Sequence, residues 1–222
     1  MNNNRKKLVV GIVYYVSILL IGWFLFKNNP ISLEVAQLLY AIVFFFVLPI
    51  ILIKKGFGEK MEDFNLPVKL FKKQLFFVAI IVFISSLLIW LFMLQWGGTE
   101  MAKKMIWWNK SILVLAGKNL FILPIGLFAQ EFFFRGFLLN IFRKNFNDIF
   151  SVIVVALLFA VFNSILLEVL FSWQKYLGLF VFGLLLGWIV VKLRSVIFSF
   201  FIYWWGVVLL GLWVLVELGR KI

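Results

Sequence analysis

Apolar runs of about twenty residues recur along this chain, and short clusters of Lys and Arg separate them. A run of that length, wound as a helix, matches the hydrocarbon thickness of a bilayer. Inside a bilayer only a helix or a closed barrel can satisfy its own backbone. The runs fall at about 8–26, 34–53, 75–96, 119–141, 149–170, 176–191 and 196–216. The pattern predicts an all-α polytopic integral membrane helix bundle of about seven transmembrane helices, organised as one transmembrane domain over 1–222. Composition points the same way. The chain is 65% hydrophobic and 20% aromatic, with a mean hydropathy of +1.11. A soluble domain of 222 residues has no core large enough for that much apolar surface.

The net charge is +13, but the cations are interleaved with apolar runs. That is how topology signals are distributed beside anionic headgroups, so nucleic acid is not expected as a partner and the lipid bilayer is. Counting Lys and Arg at the two ends of seven spans gives 13 against 8, with Arg135 left within the membrane. The excess predicts an N-in, C-out orientation for a multi-pass protein of the cell membrane. Arg5, Lys6 and Lys7 precede the first run, and no small-residue cleavage site interrupts it before Phe26, which predicts an uncleaved first span. The longest polar stretch, 54–74, contains an alternation of apolar and basic residues after Pro67 and is expected as a cytoplasmic interfacial loop. Trp107 and Trp108 among Lys103, Lys104 and Lys110 suit a second interfacial segment.

One run departs from apolarity. Ala129-Gln130-Glu131-Phe132-Phe133-Phe134-Arg135-Gly136 places an acid and a base four residues apart, on one face of a helix. Charges at that depth are costly and usually face the interior of a bundle. Pro124 and Gly126, one to two turns earlier, predict a kink. Residue types also exclude chemistry. There is no histidine and no cysteine, so disulfides, thiolate catalysis and the usual zinc ligands are missing. Glu131 is the one acid well inside an apolar run, so neither a metal nor another cofactor is expected.

The stretch from Gln130 to Gly136 resembles the first signature of the CPBP intramembrane proteases, the family of CAAX-prenyl-protease (Rce1-like) and bacteriocin-processing (Abi) enzymes. That signature reads Glu-Glu-x-x-x-Arg, usually followed by Gly. The family's second signature, Phe-x-x-x-His on the next span, is matched in position by Phe159 to Asn163. A Gly-rich span follows, as at Gly183 and Gly187, whose spacing also suits close helix packing. A short basic turn with serine comes next, as at Arg194-Ser195. The last signature, His-x-x-x-Asn, falls by spacing on Tyr203 and Val207. The resemblance covers about 112–210.

What the resemblance implies is a cavity at Gln130, Glu131, Arg135, Phe159, Asn163 and Tyr203. In the family, the first glutamate and the second-signature histidine activate a water, and the last-span pair stabilises the oxyanion. Those four positions are Gln130, Asn163, Tyr203 and Val207 here, and all are changed. A glutamine amide has no carboxylate to take a proton, and asparagine cannot relay one as histidine does. The expected function is therefore a proteolytically inactive pseudoprotease that binds a hydrophobic peptide, helix or lipid. It would act as a membrane-protein partner, a regulator, or a bacteriocin-immunity-type protein. Two alternatives stay open: an active endopeptidase or acyl- or prenyl-group enzyme using Glu131, and a small transporter.

Overall fold

The computed structural model describes residues 3–28, 38–66, 121–166 and 173–219, with the single positions 76, 79, 80, 83, 86 and 117. Apart from those isolated positions, the span expected at 75–96, the tryptophan-rich segment at 99–111 and the part of the 54–74 loop from Pro67 onward lie outside the described residues. The described elements are α1 (Asn3–Asn28), α2 (Leu38–Gly56), α3 (Leu123–Arg143), α4 (Asp148–Leu166), α5 (Trp173–Leu193) and α6 (Val196–Gly219). No strand occurs among the described residues. Helices α1 to α5 each hold a stretch long and apolar enough to cross a membrane, and α6 adds 24 residues without a charge until Glu217. The protein is a polytopic helical membrane protein.

Helix α3 is the centre. Within its span 83% is buried, against 22–50% for the other four candidate spans. Every residue from Ala129 to Phe142 is buried, so this helix has no lipid-facing side there, as expected of a helix apolar all round. Its phenylalanines meet a different neighbour each. Phe133 stacks on Phe45 of α2 at 5.1 Å. Phe134 meets Phe159 of α4 edge-on at 5.5 Å. Phe137 stacks on Phe57 at 6.2 Å. Such ring pairs add specificity to area burial.

Helix α3 is irregular at two places. Residues 121–122, just before Pro124, are π-helical, and the helix widens again at Phe132–Leu138, whose following amide, Leu139 N–H, bonds back to Phe134. Helix α2 has π segments at Ala41–Val47, which supplies Phe45, and at Leu52–Gly56. Each widening shifts the face presented beyond it by roughly a quarter of a turn.

The ends of α1 (start), α2 (end), α3 (end), α4 (start), α5 (end) and α6 (start) gather at one basic end, and residues 57–66 fasten it. The chain turns at Gly58 (φ 66°) and at Asn65 (φ 60°), around a 3-10 turn at Met61–Phe64. The Phe64 side chain is fully buried, stacking on Phe137 at 6.3 Å. The Asn65 carbonyl accepts the Val196 N–H at 2.9 Å, joining this loop to the α5–α6 turn. A Cβ on Gly136 would stand 3.2 Å from the Phe64 carbonyl oxygen, so the glycine after Arg135 admits the loop. Glu59 closes the clasp, bonding Lys7 of α1 at 2.7 Å and Lys144, just past α3, at 2.6 Å. Burial opposes ionisation of Glu59, but the hydrogen bonds and charges of Lys144 and Lys7 outweigh it and hold its carboxyl below the usual range.

Helices α4 and α5 meet along their small residues. A Cβ on Gly183 would lie 3.2 Å from the Ala156 backbone, and one on Gly187 would lie 3.0 Å from Val152. Gly183→Leu or Gly187→Leu should force this seam apart at a cost of about 1–3 kcal/mol or more, read as a lowered melting temperature in detergent. Glu59→Gln should cost about 1–2 kcal/mol at neutral pH. Because the folded pKa of Glu59 lies below its unfolded value of 4.5, the clasp's contribution is complete above that value and fades as pH falls through the folded one. The stability gap between wild type and Glu59→Gln should therefore narrow on acidification below about pH 4.5.

Candidate functional site

Glu131 and Arg135 lie one turn apart on α3, where the helix passes into its π segment. Arg135 Nη1 stands 3.0 Å from Glu131 Oε1, and both side chains are wholly inaccessible. The guanidinium lies over the ring of Phe159 at 4.0 Å, with Phe134 at 5.8 Å, so the cation is held by a ring face as well as by the carboxylate. None of the three guanidinium nitrogens and neither Glu131 oxygen makes a hydrogen bond among the described residues, so the pair is a charge contact. Ser199 of α6 adjoins the Glu131 carboxylate, with its hydroxyl donating to the Val196 carbonyl at 2.9 Å. A charge pair sealed in this way is fixed in place, because neither group has water to move into.

Directly beside the pair is a polar cluster from three helices. Gln130 Nε2 of α3 donates to Asn163 Oδ1 of α4 at 3.1 Å. The Tyr203 hydroxyl of α6 donates to the same oxygen at 3.3 Å. Asn163 Nδ2 donates to the Phe159 carbonyl, one turn back, at 2.9 Å. One asparagine thus accepts two hydrogen bonds and gives one. The Tyr203 ring packs edge-on against Phe159 at 5.8 Å and Phe182 at 5.5 Å. Val207, a turn beyond Tyr203, brings no polar atom. The structure therefore brings Gln130, Glu131, Arg135, Phe159, Asn163 and Tyr203 into one place, and sets Gly183 and Gly187 on the α4–α5 seam.

The chemistry open to this arrangement is narrow. Two amides and a phenol donate and accept hydrogen bonds but do not take up a proton near neutral pH. The lone carboxylate is engaged by Arg135. No group of three or more His, Cys, Asp or Glu residues that could hold a metal occurs among the described residues. Sequence reasoning missed Ser199, although it sits four residues before Tyr203 and hence on the same helical face. It also named Phe159 without its role as the floor under the guanidinium, which no spacing reveals.

Residues 111–209 match a family model described as "Type II CAAX prenyl endopeptidase Rce1-like". Comparison with curated proteins and with solved structures gives no match.

The ion pair makes a quantitative demand. Removing one partner strands a buried charge, so Glu131→Gln or Arg135→Met alone should destabilise the protein by about 3–5 kcal/mol. The double variant should recover much of that loss, and the coupling is read from a double-mutant cycle of thermal unfolding in detergent. Additive losses would contradict a direct pair.

Proposed function

We propose, from the match of residues 111–209 to an Rce1-like family model and from helices long and apolar enough to cross a membrane, a protein that keeps the fold without the peptidase chemistry. The observation that carries the reading is the closed hydrogen-bond set of Gln130, Asn163 and Tyr203. These three side chains occupy the positions at which the family's signatures have an acid and two histidines. They satisfy one another instead of activating a water. Glu131 is no substitute base, because its side chain is wholly inaccessible and stands against Arg135, so no water reaches it to be activated.

The role proposed is binding. A hydrophobic helix, peptide or lipid tail would lie where the family holds substrate, with the amides and the Tyr203 hydroxyl meeting its polar atoms. Such a protein serves as a partner or regulator in a membrane complex, or protects its cell against a membrane-active peptide. The basic end, with Arg5, Lys6, Lys7, Lys54, Lys55, Arg143, Lys144, Lys192 and Arg194, supports a cytoplasmic placement of that end.

The test has two arms. Purified protein should not cleave a prenylated or hydrophobic reporter peptide above the level of a protein-free control; cleavage that rises with the amount of folded protein would overturn the reading. The same peptide, made fluorescent, should bind the wild type, and Tyr203→Phe or Asn163→Leu should weaken binding about fivefold to tenfold, the worth of one hydrogen bond.

A further inference from the structure

A groove lined by none of those residues has no part in that reading. It runs between α1 and α4 and encloses about 310 Å3 lined solely by apolar and aromatic residues. Its floor is Leu138 and Phe142 of α3, both buried. One wall is Leu8 and Ile12, the other Val154 and Leu158. Successive residues on each wall are four apart, so each is a straight stripe along its helix and the groove runs along the helix axes. At the deep end the Tyr15 hydroxyl donates to the Leu158 carbonyl at 2.8 Å and bridges the walls. At the other end the groove opens at the basic end, between Leu8 and the half-exposed rings of Phe146 and Phe150.

The charges at that mouth are unevenly used. Lys7 and Lys144 are paired with Glu59, and Arg143 is paired with Asp148. Arg5 is exposed and joins no ion pair among the described residues. It precedes Leu8 by three residues and Ile12 by seven, which puts it on the groove's own face of α1, one turn above the wall. An apolar slot along the membrane normal, closed inside and topped by an unpaired cation, is complementary to one molecule a bilayer always offers.

We propose that this groove is a binding site for an anionic phospholipid, one acyl chain lying between α1 and α4 and the phosphate meeting Arg5. The lipid would tie the first helix to the Rce1-like domain, since the groove joins α1 to α3 and α4. This site stands apart from the amide cluster and does not depend on how that cluster functions.

Native mass spectrometry of the full chain in mild detergent tests it, using phosphatidylglycerol and phosphatidylcholine with identical acyl chains. One phosphatidylglycerol should be retained at concentrations where phosphatidylcholine is lost. Arg5→Gln should weaken phosphatidylglycerol about fivefold, as one basic residue at an anionic surface is worth about 1 kcal/mol, and leave phosphatidylcholine unchanged. Ile12→Trp, at a half-exposed wall position, should abolish retention while leaving the lipid-free melting temperature near wild type. If that variant misfolds, Val154→Trp on the opposite wall takes its place. Equal retention of both lipids, no effect of Arg5→Gln, or retention by a folded wall variant would each overturn the proposal. So would disulfide cross-linking of two copies through Ile12→Cys at high yield, which would make the groove a protein interface.

Discussion

The buried contact between Glu131 and Arg135 constrains everything around it. Two charges without solvent access are tolerable in a membrane protein only where they pair and face the interior, and three helices enclose them here. Helix α3 supplies both charges, α4 supplies the Phe159 ring beneath the guanidinium, and α6 supplies Ser199 beside the carboxylate. Helix α3 cannot rotate toward lipid without exposing the pair to hydrocarbon. That explains why the most polar of the candidate spans is also the most buried, an inversion of the usual relation between hydropathy and depth.

Phe159 connects this constraint to the polar cluster. Its ring carries Arg135 and its carbonyl holds Asn163, so the ion pair fixes where the asparagine can be. Asn163 in turn sets the positions of Gln130 and Tyr203. What this scaffold orients is a pair of amides and a phenol. The separation between scaffold and chemistry is the ordinary one between fold and function: the ion pair, the ring and the glycines are framework, and the residues presented upon them decide the reaction or its absence.

Much of this was legible because it is written at short range. Run lengths gave the helical membrane class, and i,i+4 spacing gave the pair at 131 and 135. The resemblance read over 112–210 and the family match over 111–209 coincide because the signatures sit at fixed intervals on consecutive spans. The parts that were not legible are long-range. Glu59 meets Lys7 and Lys144 across 52 and 85 positions, and a polar loop gives no sign that Phe64 and Asn65 will be buried. The π segments were missed for a different reason. A widened turn leaves apolar content unchanged, so in a run where nearly every residue is apolar there is no periodicity left to reveal it.

The apolar core is divided, and the polar cluster sits on the division. Helices α1 to α4 supply most of the large cluster built on the α3 phenylalanines, which also takes in Val190 of α5 and Val196 of α6. Leu186 and Ile189 of α5 pack with Phe198 and Ile202 of α6 in a smaller one. Gln130 and Asn163 belong to helices of the first group, and Tyr203 packs against both clusters. The first group is braced at the basic end by Glu59 and by the α1–α4 bridge from Tyr15 to Leu158. Hydrogen bonds within a bilayer are individually modest, and of the two to the asparagine oxygen only the 3.3 Å bond from Tyr203 crosses between the groups. The α3–α6 contact itself is closed by packing, with Phe128 of α3 meeting Phe200 of α6 edge-on at 5.4 Å, so Tyr203 adds direction to a seam that aromatic rings already hold.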